Sequence, residues 1–182
     1  KHMKNSYASE TPVTDGQRIY VYLASAGLFA FDMRGRPVWS KPMPPLKMRQ
    51  GWGAASSPVL HQGRLYVVND NEEQSFLAAY DAKTGRELWR VNRDEGSSWV
   101  TPYVWANGMR TEIVTVGSRK VRAYDLNGTL LYSWGTFGGY PGEIWGVHQF
   151  SSDEEGNLYT AEVYSGRPQK FRPKRGADPS KL

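Results

Sequence analysis

Short apolar runs, each ended by an aspartate, set the rhythm of the chain. Phe76 to Tyr80 is apolar and aromatic without alternation, as a strand buried on both faces would be. Asp81 ends the run, and its carboxylate can accept backbone N–H groups two or three residues on, which fixes a turn. Gly85 tolerates the positive φ that closing a hairpin needs. Glu87, Leu88 and Trp89 return as a second strand, with Trp89 large enough to cover a sheet face. The same pattern recurs from Phe31-Asp32 through Gly35 to Trp39, and from Tyr124-Asp125 through Gly128 to Tyr132.

A hydroxyl residue before a proline stands upstream of each copy. These are Thr11-Pro12, Ser57-Pro58 and Thr101-Pro102, and the prolines are 46 and 44 residues apart. A period near 45 with several short strands per unit predicts β-propeller blades. Helical solenoids have overlapping periods, but these repeats are rich in Val, Tyr, Trp and Gly and lack a 3.6-residue apolar stripe. The expected fold is all-β and β-propeller-like, with about four blades of antiparallel strands in a small or incomplete ring. The blades fall at about 4–50, 51–95, 96–135 and 136–174, in one domain spanning 4–174.

Unit two reads most cleanly. Ser57–Leu60 and Arg64–Val68 form a hairpin around Gln62-Gly63, Asp70–Gln74 is an acidic loop, and Ser75–Tyr80 and Glu87–Asn92 follow. Unit four differs. Trp134–Gly142 is a long connector rich in glycine and aromatics, and three strands follow at Gly146–Phe150, Asn157–Val163 and Arg167–Arg172. Arg172 takes the place of the landmark aspartate. Lys41–Gln50 carries Pro42, Pro44 and Pro45 and reads as a connector without regular structure.

Composition narrows the chemistry. The 182 residues suffice for one sizeable core, and no apolar run approaches the roughly 20 residues of a membrane span. The net charge is +5, much of it in the last stretch from Arg167 to Lys181. Its end, 175–182, reads as a basic, flexible, solvated tail, and a nucleic-acid partner is not expected. The absence of cysteine excludes disulfides, thiolate nucleophiles and cysteine zinc sites. Lys1-His2-Met3 reads as a tag remnant, and no leader is visible.

Thr11 to Gly16, Ala79–Trp89 and Tyr124-Asp125 resemble the PQQ-like propeller repeat. Its family includes the alcohol dehydrogenase quinoproteins and the scaffold propeller of outer-membrane protein assembly. The resemblance covers about Ser9–Ser133 and implies a periplasmic or extracellular protein. Unit four, from Gly146 to Phe150, through Gly156 to Tyr159, to Gln169-Lys170-Phe171, looks more like an NHL-type repeat. A quinoprotein of this family holds its quinone on the propeller axis beside a calcium ion, often under a vicinal cysteine pair. With no cysteine and about half the usual blades, this chain is not expected to bind PQQ, and no cofactor is expected.

Among candidate residues, His148 stands out, flanked by Trp145 and Phe150 on a strand expected to face inward. In NHL-type enzymes resembling the amidating lyase, a histidine at this strand position is a metal ligand. His148 with Asp153 and Glu162 could hold Zn²⁺ or Ca²⁺. The competing reading is a histidine packed between aromatics, and it is preferred because the other histidines are His2 and His61. Glu143 and Glu162 are candidates for an acid/base pair. Trp52, Trp99 and Trp145 precede the first strands of units two to four and either pack between blades or offer a stacking face to a ligand. Packing is preferred.

The loops Ser25–Gly27, Asp70–Gln74, Ser118–Arg119 and Tyr164–Gly166 link second and third strands, so they are expected to share one rim. Asp70, Glu72 and Glu73 make it locally acidic. The reading as a whole is a non-catalytic binding or scaffold module that uses these blade-top loops to hold a protein or small ligand. The alternatives are a metal-dependent lyase or hydrolase acting through His148 and, behind it, a quinone-dependent dehydrogenase. Two incomplete rings could also pair edge to edge as a homodimer.

Overall fold

A computed structural model describes residues 8–117 and 120–172. The expected tag remnant, the Ser118–Arg119 loop and the basic tail lie outside the described residues. Regular structure among them is fifteen β-strands and one short 3-10 turn at Arg49–Gly51. The chain divides into two compact units between Pro102 and Tyr103.

The first unit holds two four-stranded antiparallel meanders. One comprises β1 (Val13–Thr14), β2 (Arg18–Leu23), β3 (Gly27–Asp32) and β4 (Pro37–Pro42). The other comprises β5 (Val59–His61), β6 (Arg64–Asn69), β7 (Ser75–Asp81) and β8 (Glu87–Arg93). The second unit holds β9 (Tyr103–Ala106), β10 (Thr111–Val116), β11 (Val121–Tyr124) and β12 (Leu130–Trp134). Its other sheet is three-stranded, with β13 (Val147–Ser152), β14 (Leu158–Glu162) and β15 (Pro168–Phe171).

The repeated aspartate does what the sequence suggests. Asp81 Oδ1 accepts the Thr84 N–H and the Thr84 hydroxyl, at 2.8 and 2.7 Å. Asp32 Oδ1 accepts the N–H groups of Arg34 and Arg36, and Asp125 Oδ1 those of Asn127 and Thr129. In each of these sheets the pairing of the third strand with the fourth shifts register at the residue before the landmark aspartate. The shifts fall at Ala30/Phe31, Ala79/Tyr80 and Ala123/Tyr124. A bulge there bends the strand into the turn.

The bonds from Thr84, its hydroxyl foremost, hold the Asp81 carboxyl below its ordinary 3.8 against the opposing effect of burial. The turn is therefore fully fastened above pH 3.8 and loosens as the pH falls through the lower folded value. Asp81→Ala is expected to cost about 1 kcal/mol at neutral pH, and progressively less on acidification. Urea melts at pH 7 and pH 3 check both statements.

The hydroxyl-proline landmarks have a structural purpose too. Each proline stands directly before the first strand of its sheet, where its missing N–H costs no ladder bond. The Thr11 N–H donates to Ser57 Oγ at 2.8 Å, and the Ser57 N–H donates to Thr101 Oγ1 at 3.0 Å. One landmark thus fastens to the next across the repeat. At the other side of the sheets, Trp39 of β4 donates its indole N–H to the Ala82 carbonyl at 3.1 Å. Its ring lies over Gly85, where an added Cβ would sit 2.7 Å from the ring. Tyr20, Leu28, Leu65, Val67 and Tyr80 form the dry core of this unit.

The acidic loop corrects an expectation. Asp70 is fully buried and holds Arg93 through two bonds of 2.8 and 3.0 Å. Glu72 accepts the hydroxyl and the N–H of Ser97, and Glu73 accepts the Lys47 N–H. These carboxylates tie neighbouring segments together; Asp70 is withdrawn from the expected acidic rim, while Glu72 and Glu73 remain exposed. The Asn71 side chain holds the loop in shape by accepting from Glu73 and Gln74.

Candidate functional site

The proposed metal ligands are not gathered. His148 is exposed on β13, where it is the extra residue of a bulge. Val147 pairs with Glu162 and Gln149 with Ala161, which leaves His148 without a partner in the ladder. Asp153 sits in the β13–β14 turn and accepts bonds from Asn157, Tyr159 and Lys170, which hold its carboxyl well below the usual range, the Asn157 amide contributing most. Among the described residues no three His, Asp or Glu side chains converge where one ion could sit.

Glu162 is buried, and its carboxylate is already occupied. It accepts the Ser165 hydroxyl at 2.6 Å, the Trp145 N–H at 3.3 Å and the Gln169 amide, and it pairs with Arg167 at 3.4 Å. Burial alone would raise its pKa, but these donors hold it below the ordinary glutamate value. Glu143 turns elsewhere, accepting the Tyr140 N–H at 2.7 Å. Gln169 and Arg167, which hold the Glu162 carboxylate, also donate to the Glu143 main-chain carbonyl at 2.8 Å each, so the Glu162 carboxylate is tied to the backbone of Glu143 and not to its side chain. This arrangement fixes a loop and leaves neither carboxylate poised over a substrate.

The tryptophans separate into two kinds. Trp99 donates to the Gly53 carbonyl at 2.7 Å and packs against Trp52 with ring centres 5.6 Å apart. That pair joins the segment before β5 to the segment before β9. Trp145 is about as exposed as Trp52, but it stands in a row of aromatics. Phe137 lies edge-on to it at 6.0 Å, and Tyr164 lies tilted against it at 6.2 Å.

This row is the part of the second unit best suited to binding. Tyr140 is 77% exposed, Tyr164 69%, Phe137 61% and Val163 56%. The backbone beneath is pinned. Ile144 is fully buried, donates its N–H to the Thr136 carbonyl at 2.7 Å, and packs against Gly135, whose Cβ would meet it at 2.4 Å. Gly146, at φ +72, lets the Tyr164 ring lie directly on the backbone, and its carbonyl accepts the Val163 N–H at 2.8 Å. Arg167 also reaches the Gly139 carbonyl. Sequence reading selected Trp145 as a candidate and placed Tyr164 in a rim loop, but did not single out Phe137 or Tyr140. The signal was the run of glycine and aromatics from Trp134 to Gly142.

Comparison with known proteins bears on the fold. A family model described as outer membrane protein assembly factor BamB matches residues 2–133. Among curated proteins, the quinohemoprotein alcohol dehydrogenase ADH IIB of Pseudomonas putida is 26% identical over 175 residues, covering 84% of this chain and 23% of that protein. Among solved structures, BamB from Moraxella catarrhalis superposes with a TM-score of 0.65 at 14% identity, over 94% of this chain and 46% of that one. Quinohemoprotein alcohol dehydrogenase from Comamonas testosteroni gives 0.56 at 15% identity, over 85% and 32%. The chain thus spans under half the length of each of these relatives. The match supports PQQ-like repeats through 133; beyond it, the expected NHL character of the last sheet has no counterpart in these comparisons.

Proposed function

Because the chain belongs to the BamB family of PQQ-like β-propellers, we propose that it is a non-catalytic binding module that holds a protein partner on the aromatic connector of its second unit. The observation that carries this reading is the row of Phe137, Trp145 and Tyr164, with the exposed Tyr140 on the same connector as Phe137, on a backbone fixed from below. An apolar cluster of this kind loses hydration cost when covered. Tyrosine and tryptophan on a rigid support bring large contact area at small ordering entropy, which is the composition of interface hot spots. The occupant is a protein segment that presents aliphatic side chains to the rings. The family name refers to outer membrane protein assembly, and the partner proposed is a protein of such an assembly, in the periplasm.

The test is a photo-crosslinking amino acid placed at Tyr140, Tyr164 or Met33 in cells that carry the natural gene. Met33 is 56% exposed in the β3–β4 turn of the other unit and serves as the control. The expected result is one discrete protein adduct at Tyr140 and Tyr164, absent at Met33 and lost when Trp145→Ala is added. Identical adducts at all three positions, or none at Tyr140, contradict the reading.

A further inference from the structure

The first unit contains a pocket of about 420 Å³ between the β2–β3 turn and the connector that follows β4. Its volume lies within the range of small-molecule sites. Leu46, Met48 and Ala54 supply apolar walls, and Glu10 and Asn69 are polar groups lining it. Ser25, exposed at the turn, lines it as well.

Glu10 is the unusual group. It is only 7% exposed. Its Oε1 accepts the Ala24 N–H at 3.1 Å, while its Oε2 is buried with no hydrogen-bond partner in the protein. Asn69, by contrast, is occupied: it donates to the Tyr22 hydroxyl at 2.8 Å and accepts from Asn71 at 3.2 Å. Burial pushes the Glu10 carboxyl above its ordinary value, and the Ala24 bond, with smaller contributions from the backbone N–H groups of Glu10 and Ser9, offsets only part of that. A buried carboxylate oxygen without a donor costs free energy that a ligand can recover. Apolar walls around one unpaired acceptor suit a molecule with an apolar body and one cationic donor.

We propose that this pocket binds a small organic ammonium ion, its N–H donating to Glu10 Oε2 and its hydrocarbon body lying against Leu46, Met48 and Ala54. The site is separate from the aromatic connector, so either can fail without the other.

The experiment is calorimetric titration of the full chain with cyclohexylammonium chloride, and with cyclohexanol as the uncharged mimic. The ammonium is expected to bind saturably and cyclohexanol at least about tenfold more weakly, as a charge-assisted hydrogen bond implies. Glu10→Gln keeps an acceptor for the Ala24 N–H and is expected to weaken ammonium binding about tenfold. Ser25→Phe leaves Glu10 intact, obstructs the pocket and is expected to weaken binding too, which keeps the test decisive should Glu10→Gln not fold. No saturable binding of the ammonium, equal binding of cyclohexanol, or wild-type affinity in the folded variants would overturn the proposal.

Discussion

Arg93→Met is expected to destabilise the protein by about 3–5 kcal/mol, the usual consequence of removing one partner of a buried ion pair. Arg93 and Asp70 have fully buried side chains joined by two short parallel bonds. They stand at the ends of β8 and β6, and the Asp70 carbonyl also accepts the Ser98 N–H at 3.3 Å. Removing the guanidinium leaves a carboxylate in the interior with its main charge partner gone. For a chain of this size, that loss lowers the melting temperature by on the order of 10 °C. Replacing both residues by apolar ones of similar volume should be far milder, because no orphaned charge remains. Thermal and urea unfolding of the single and double variants separate these cases. A single-variant loss below about 1 kcal/mol is incompatible with the pair as described.

The second large effect is at Gly27, the first residue of β3. Its φ is +131°, and a Cβ there would lie 2.2 Å from the Lys41 carbonyl oxygen and 2.9 Å from the Met43 nitrogen. Both obstacles are backbone and cannot rotate away. Gly27→Ala therefore combines conformational strain with steric overlap, and a loss of about 3 kcal/mol or more is expected. Gly35→Ala is the matched control. That glycine also has positive φ, +79°, but nothing lies within 4 Å of its would-be Cβ. Its loss should stay at about 1 kcal/mol, from backbone strain alone. Equal losses at the two positions would mean that β3 and the end of β4 are not in this contact.

The repeats were legible because their cause is local. An aspartate after an aromatic, and a glycine a few residues on, dictate the same turn wherever they occur, so Asp32, Asp81 and Asp125 announce their hairpins. The hydroxyl-proline landmarks were visible as a period, but their reason was not, since the bond from one to the next spans more than forty residues. Asp70 was misread for the same cause. Beside Glu72 and Glu73 it resembles a solvated acidic loop, and its partner Arg93 lies 23 residues away.

His148 shows the limit of parity. Counting back by twos from the buried Phe150 points His148 inward. The bulge breaks the count, so that Val147 and Phe150 are both buried and the two residues between them both face solvent. Glu10 gave no signal at all, being one carboxylate in a polar lead-in. Its burial depends on the β2–β3 turn and on the connector after β4, which no local pattern encodes.

Everything rests on one antiparallel unit repeated along the chain, three times with the same bulge before the same aspartate and once as a three-stranded sheet without it. Cross-strand nuclear Overhauser contacts in the labelled protein test that most directly. The account predicts the pairs Tyr66 with Ala79 and Val114 with Ala123. It also predicts Tyr20 with Ala30, and Thr160 with Gln169 in the last sheet. A one-residue slip in any of these ladders would turn its buried face to solvent, and finding such a slip, or helical contacts in their place, would contradict it.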